Sequence, residues 1–204
     1  MRIYTINNVG KNNIDISDGV WGEAQVAKMD NYVWDETGFK PQNFAMALAG
    51  NEGITVLLSS DEHPVTATKT EFNSEVCEDS CLEVFMNANP EHDNRYFNFE
   101  ISASGALLVG FGSGRYDRNN IFDVDPEIFH VETNVDDDGW CAKIFIPYEF
   151  LESRYGMKIG RQFKGNFYKC GDNTPIPHFG TWAPVVAPEP DYHRPECFGT
   201  FVIE

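Results

Sequence analysis

Residues 81–86 read Cys-Leu-Glu-Val-Phe-Met, and residues 96–102 read Tyr-Phe-Asn-Phe-Glu-Ile-Ser. Apolar side chains recur at every second position of both segments. Because successive side chains of a β-strand point to opposite faces, each segment predicts a strand with one apolar face. The short connection between them indicates that the two strands pair, so that one face of the pair joins the core. The other face would carry Glu83, Phe85, Tyr96, Asn98 and Glu100.

Similar signals recur along the chain. Further segments have alternating or continuous apolar character, and turn-forming residues separate nearly all of them. Only residues 147–155 have a helical pattern, with Pro147 at an opening position and Gly156 as a stop. Many short strands indicate an all-β fold, an antiparallel β-sandwich with jelly-roll or immunoglobulin-like layers and one short helix. The predicted strands are 43–49, 54–59, 81–86, 96–103, 106–111, 140–146 and 198–203.

The length and charge of the chain restrict its organisation and partners. With 204 residues, two separate cores would each be small, so we expect one domain over residues 1–204. The chain has 15 basic and 32 acidic residues, a formal net charge of -17, and no cluster of Lys and Arg. Charge repulsion therefore disfavours nucleic acid and anionic membranes as partners. No apolar stretch reaches transmembrane length.

Two features of the sequence concern its compartment. Residues 1–10 lack the apolar run of a signal peptide, which predicts a cytoplasmic protein, although export of a processed form stays open. The five cysteines are an odd number without a Cys-x-x-Cys pair, which favours free buried thiols over a zinc site. These cysteines are Cys77, Cys81, Cys141, Cys170 and Cys197.

The last forty residues are rich in aromatic rings, prolines and single charges without helical spacing. They contain Phe-Lys-Gly-Asn-Phe-Tyr-Lys-Cys-Gly-Asp at 163–172, His-Phe-Gly-Thr-Trp at 178–182, and Pro-Asp-Tyr-His-Arg-Pro-Glu-Cys-Phe-Gly at 190–199. Such segments are typical of loops at the rim of a β-scaffold. Tyr and Trp offer a flat apolar face and a polar tip, which favours a sugar-binding rim. A core that closes over its own C-terminus is the alternative interpretation.

A glycine-rich stretch, Gly-Phe-Gly-Ser-Gly-Arg, occupies residues 110–115. It lacks the Gly-Lys-Ser/Thr ending of a phosphate-binding loop, and no predicted helix follows it. Two residues before Ser113 stands Phe111, where a nucleophile elbow has glycine. The stretch therefore predicts a flexible rim loop without serine hydrolase chemistry.

The order of these motifs resembles that of the family-9 carbohydrate-binding modules. Asp-Ser-Cys-Leu-Glu-Val-Phe at 79–85, the strand from residue 96, Gly-Trp-Cys-Ala-Lys-Ile-Phe-Ile-Pro at 139–147 and the C-terminal segments follow one another as in that family. The resemblance implies a DOMON-like β-sandwich that binds a carbohydrate, without catalysis, on a sheet face walled by aromatic loops. Members of the family often hold a structural calcium ion, so the resemblance implies a possible calcium site in this chain. Asp61 is its candidate ligand.

The resemblance assigns site residues position by position. The acid that pairs with sugar hydroxyls falls on Glu83, where a charged acceptor strengthens the hydrogen bonds. The aromatic residue before the final strand falls on Tyr192, with the next two residues beside it. Trp182 is a further candidate for stacking on the sugar ring, and Lys169 is a candidate for a polar contact with its hydroxyl groups. The candidate carbohydrate-binding residues are Glu83, Asn98, Glu100, Lys169, Trp182, Tyr192, His193 and Arg194.

The sequence departs from the family pattern at two places. Asn98 and Glu100 stand where sugar-binding members have an arginine and an asparagine. Cys77 stands where a first stacking tryptophan is expected. The aromatic residues that would have to replace it are Phe72, Phe85 or Tyr96.

Two other functions stay open. Glu83 and Glu100 could form the carboxylate pair of a glycoside hydrolase, although we expect an open sheet face to leave their pKa values unraised. Some DOMON-like relatives bind haem through methionine together with histidine or lysine. Met86 is predicted to point into the core, and no histidine stands out as its partner.

Overall fold

The structure is a computed structural model that describes residues 2–204. Over this range the chain forms thirteen β-strands and one α-helix. They are β1 (Ile3–Asn8), β2 (Ala27–Lys28), β3 (Asn43–Ala49), β4 (Gly53–Ser60), β5 (Cys81–Asn87), β6 (Tyr96–Ser102), β7 (Leu107–Gly112), β8 (Asn119–Asn120), β9 (Glu132–Asp136), β10 (Gly139–Pro147), α1 (Tyr148–Tyr155), β11 (Gln162–Cys170), β12 (Gly180–Thr181) and β13 (Gly199–Ile203). Short 3₁₀ turns lie at Gly19–Glu23, Val76–Glu78, Pro126–Phe129 and Pro195–Cys197.

The strands form two layers joined by β1. One layer has the order β8, β7, β6, β5, β11 and β13, and the other has the order β3, β4, β10 and β9. Residues 3–6 of β1 pair in parallel with β13, and residues 7–8 pair in parallel with β3. The other strand pairs within residues 2–204 are antiparallel. This architecture confirms the predicted all-β sandwich.

The main core lies between the two layers. Leu82, Val84 and Met86 on β5 are buried in it, as the alternation of apolar residues predicts. The alternate residues of β6, from Phe97 to Ile101, join them. Burial of each such large apolar side chain stabilises the fold by roughly 1.5–3 kcal/mol. The polar face of β5 and β6 is thereby fixed on the other side of the sheet.

Helix α1 follows β10 directly and confirms the helix predicted near 147–155. Pro147 precedes it in an extended conformation, and Gly156 ends it with a φ of 69°, in the left-handed region that glycine adopts readily. Phe150 and Leu151 pack into the main core. No helix within residues 2–204 is long and apolar enough to cross a bilayer.

Strand β11 corrects the prediction of a rim loop that begins at residue 163. It pairs with β5 on one side and β13 on the other, so it is a central strand. Its inner face carries a glycine and the buried Lys169 beside Phe163 and Phe167, so the apolar alternation that predicts β5 and β6 is interrupted. The sequence pattern likewise does not predict β1 and β9.

Candidate functional site

A pocket of about 100 Å³ lies on the face of β5 and β6 that points away from the main core. Glu83 and Glu100 line it and are directly opposite each other on these two strands. The chain after β11 returns across this face, and residues 190–193 form part of the wall. The pocket is therefore bounded by a rigid sheet on one side and by loops on the other.

The Glu83 carboxyl group is the most unusual feature of the pocket. The residue is 1% exposed, and no donor within residues 2–204 forms a hydrogen bond with its carboxyl group. Burial and the neighbouring Glu100 raise the pKa of Glu83 well above its ordinary value. A buried carboxyl group without a protein partner is costly, so a donor supplied by a ligand would stabilise it.

Glu100 shares this environment but has one protein partner. Its Oε1 accepts a hydrogen bond of 2.8 Å from Asn98 Nδ2. Burial raises the pKa of Glu100 to about 7, although Arg118 and Asn98 act in the opposite direction. The structure thus corrects the expectation of an open sheet face, because both carboxyl groups are enclosed and their pKa values are raised.

Arg118 brings an unpaired positive charge to the pocket. Within the described residues its Nε and Nη1 atoms are buried and have no hydrogen-bond acceptor. A Cβ on Gly110 would lie 2.4 Å from Asn98 Oδ1 and 3.0 Å from Arg118 Nη1, so a larger residue would displace the Asn98 amide and crowd the guanidinium group. Sequence reasoning missed Arg118, and the glycine at position 110 is the signal that could have indicated a close approach.

Arg115 closes part of the mouth of the pocket. Its Nη1 is 3.1 Å from Asp191 Oδ1, and both residues line the pocket. The ion pair connects the glycine-rich loop between β7 and β8 to the loop before β13. The stretch at 110–115 therefore begins in strand β7 and ends as a rim loop that is tied across the pocket.

Tyr192 and His193 pack against the sheet beside the carboxyl groups. The Tyr192 ring stacks on Tyr168 with 4.1 Å between centroids, and its hydroxyl donates to the Lys169 carbonyl at 2.7 Å. His193 Nδ1 lies 2.9 Å from the Tyr96 hydroxyl. Burial lowers the pKa of His193 to about 3, so this imidazole is neutral at physiological pH.

Phe179 and Trp34 are aromatic residues that sequence reasoning missed. Phe179 lines the pocket and is only partly buried. The Trp34 ring lies edge-on to Phe179 at 6.3 Å and tilted against Tyr192 at 5.9 Å. Phe179 thus presents an apolar ring to the pocket, and Trp34 packs against that ring.

The comparisons with known proteins agree with this architecture. The sequence profile of Carbohydrate-binding family 9 matches residues 20–203. This chain belongs to carbohydrate-binding family 9. No curated protein matches it significantly.

Solved structures of similar fold cover the whole family-9 chain. A proposed carbohydrate-binding protein from Bacteroides uniformis is 25% identical, with a TM-score of 0.81, and covers 100% of this chain and 99% of its own. A family-9 module from Caldicellulosiruptor kristjanssonii in complex with glucose is 12% identical, with a TM-score of 0.69, and covers 100% and 96%. A family-9 module from the same organism in complex with cellotriose is 12% identical, with a TM-score of 0.69, and covers 100% of this chain and 94% of its own.

The pocket of this family-9 chain contains only part of the predicted set. Glu83, Glu100, Tyr192 and His193 line it, while Asn98 lies fully buried beneath and holds Glu100. Among the expected replacements for tryptophan, Phe85 lines the pocket, Tyr96 contacts His193, and Phe72 packs against the main core. Cys77 lines the pocket as a thiol whose pKa is raised by burial.

Three predicted site residues do not line the pocket. Trp182 is 5% exposed and packs in the main core against Phe167. Lys169 points to the same inner side, because it alternates with Tyr168, and its Nζ lies 3.0 Å from Glu62 Oε2. Arg194 forms an ion pair of 2.7 Å with a neighbouring glutamate, Glu196.

Asp61, the candidate calcium ligand, is hydrogen-bonded to Gln42, and Met86, the candidate haem ligand, is buried in the core. Asp61 Oδ1 accepts a hydrogen bond of 2.6 Å from the Gln42 backbone, and Oδ2 accepts one of 3.2 Å from the Gln42 side chain. Within residues 2–204 no group of three or more His, Cys, Asp and Glu side chains is arranged to hold a metal ion. Met86 is buried in the main core, as predicted.

We expect Glu100→Gln to change the pH dependence of stability. Between about pH 4.5 and about pH 7 the folded protein keeps a proton on Glu100 that the unfolded chain has lost. The contribution of this proton to the free energy of unfolding is therefore complete below about pH 4.5 and is lost as the pH rises to about 7. His178 and His193 act in the opposite sense, because their pKa values are lowered from 6.5 to about 4 and about 3.

The comparison of the variant with the wild type cancels the histidine contributions. Glu100→Gln should gain on the order of 2 kcal/mol relative to the wild type between about pH 5 and pH 7.5, measured by urea unfolding. The exposed Glu149→Gln is the matched control and should follow the wild-type curve. If the free energies of unfolding of Glu100→Gln and the wild type change with pH in parallel, the folded protein does not hold the extra proton on Glu100.

Proposed function

We propose that this family-9 chain binds a sugar residue, without turnover, in the pocket between Glu83, Glu100 and Arg118. The observation that carries the proposal is a complementary pair of unsatisfied groups. Within residues 2–204, no donor bonds the buried Glu83 carboxyl group, and Arg118 Nε and Nη1 are buried without an acceptor. Adjacent hydroxyl groups of a sugar can donate to the one and accept from the other, in charge-assisted hydrogen bonds.

The shape of the pocket supports a single ring as its occupant. A pocket of about 100 Å³ is small beside the roughly 300–1,000 Å³ of sites for drug-sized ligands. The walls combine polar groups with the apolar face of Phe179, and sugars have both hydroxyl edges and apolar C–H faces. We therefore propose that one residue at the end of a mono- or oligosaccharide enters, and that further residues remain outside.

We expect Phe179→Ala to weaken glucose binding by roughly tenfold, since a well-placed aromatic contact contributes on the order of 1–2 kcal/mol. The measurement is the dissociation constant from titration calorimetry. Phe122→Ala removes a phenyl ring that is 71% exposed and does not line the pocket, so it is the matched control and should bind as the wild type does. Equal affinities for both variants would argue against Phe179 as a wall of the sugar site.

A glycoside hydrolase is the second candidate, because enclosure raises the pKa values of both Glu83 and Glu100. A general acid needs such a raised pKa. However, the two residues lie side by side on neighbouring strands, whereas hydrolysis needs carboxyl groups that flank the scissile bond. We expect no release of nitrophenol from aryl glycosides above background. Release that is lost in Glu83→Gln would establish hydrolysis and overturn the non-catalytic proposal.

A further inference from the structure

The pocket has more acidic than basic side chains. Its walls include five carboxyl side chains and two guanidinium groups. Arg115 is already paired with Asp191, which leaves Arg118 to balance the remaining acids. Those acids are Glu75, Glu83, Glu100 and Asp172.

Asp172 and Arg118 lie on different sides of the pocket. Asp172 follows β11, whereas Arg118 lies over Gly110 on β7, and β5 and β6 separate these two strands. Asp172 and Glu100 are both close enough to Glu83 to raise its pKa. Glu83 therefore lies between Asp172 on the β11 side and Glu100 on the β6 side.

A neutral hydroxyl group would satisfy Glu83 with one hydrogen bond but would bring no positive charge to the acids. An ammonium group has three donors and a positive charge, so it can bond to Glu83 and Asp172 together and favour the ionised forms that burial disfavours. The hydroxyl groups of the same ring would then face Arg118. This arrangement matches donors and charges on both sides of the pocket.

We propose that the sugar residue in this pocket carries a free, positively charged amino group that lies against Glu83 and Asp172; this inference rests on the proposed sugar-binding function. The ligand class is an amino sugar whose nitrogen is not acetylated. Acetylation removes the charge and two of the donors, so the pocket distinguishes the free amine from its acetylated form.

The test is titration calorimetry at pH 7 and low salt with glucosamine, glucose, N-acetylglucosamine and ethanolamine. Glucosamine should bind at least about tenfold more tightly than glucose and N-acetylglucosamine, which corresponds to about 1.4 kcal/mol. The advantage should shrink as sodium chloride screens the charges. Asp172→Asn should remove most of the advantage of glucosamine over glucose.

The outcomes separate this inference from the proposed function. If glucose binds as tightly as glucosamine, the amino-sugar inference is wrong and the sugar-binding proposal stands. If ethanolamine binds as tightly as glucosamine, the pocket recognises an amine rather than an amino sugar, and the inference is also wrong. If none of the sugars binds at millimolar concentration, the proposed function fails together with the inference.

Discussion

Glu62→Ala should lower the free energy of unfolding by about 3–5 kcal/mol, because it leaves a buried ammonium group without its counter-charge. Glu62 and Lys169 are 1% and 0% exposed, and Glu62 Oε2 lies 3.0 Å from Lys169 Nζ. The same oxygen accepts a hydrogen bond of 3.0 Å from Trp140 Nε1. The cluster lies directly behind the pocket, since Lys169 alternates with the residues of β11 that support Tyr192.

Urea unfolding at pH 7 measures this loss, and two variants test its cause. Asp61→Ala removes the neighbouring carboxylate, which accepts hydrogen bonds from Gln42, and should cost less than about 1 kcal/mol. The double variant Glu62→Gln with Lys169→Met removes both charges and should recover much of the stability. A loss below about 1 kcal/mol for Glu62→Ala would show that the ion pair contributes little to the fold.

Glu83→Gln should reduce the affinity for a neutral sugar by about 100-fold without lowering stability. The loss corresponds to about 3 kcal/mol, the contribution expected of hydrogen bonds to a charged acceptor in a dry site. The free protein should become slightly more stable at pH 8, because the variant removes a desolvated carboxylate next to Glu100. The substituted amide can also donate a hydrogen bond to that neighbour.

The two readouts must differ for this prediction to hold. Titration calorimetry with glucose gives the affinity, and urea unfolding gives the stability of the same preparations. Glu149→Gln, which is exposed and does not line the pocket, should match the wild type in both. If Glu83→Gln keeps the wild-type affinity, Glu83 does not bind the sugar. If it loses stability and affinity together, its role is structural.

The sequence predicts the sandwich well where one face of a strand is apolar. Alternation on β5 and β6 identifies both strands, and it places Glu83 and Glu100 on the face that carries the pocket. The same rule fails for β11, because a glycine and the buried Lys169 share its inner face with Phe163 and Phe167 and interrupt the apolar pattern. This explains why Lys169 is assigned to the site although its side chain lies behind the sheet with Glu62.

The remaining site residues depend on contacts between distant segments. Arg118 reaches the pocket because β7 and β8 form a hairpin and Gly110 leaves space for the guanidinium group. Trp182 has the residue type expected of a stacking platform, but it lies in the main core. Phe179, three residues earlier, lies at the pocket instead. Residue type and order indicate the family, whereas the direction of each side chain requires the fold.

A crystal structure of the protein soaked with glucose tests the central claim most directly. We expect one sugar ring in the pocket. Its hydroxyl groups should lie within hydrogen-bond distance of the Glu83 carboxyl group and the Arg118 guanidinium group, and one ring face should lie against Phe179. Glucose bound at another surface while this pocket contains only water would contradict it.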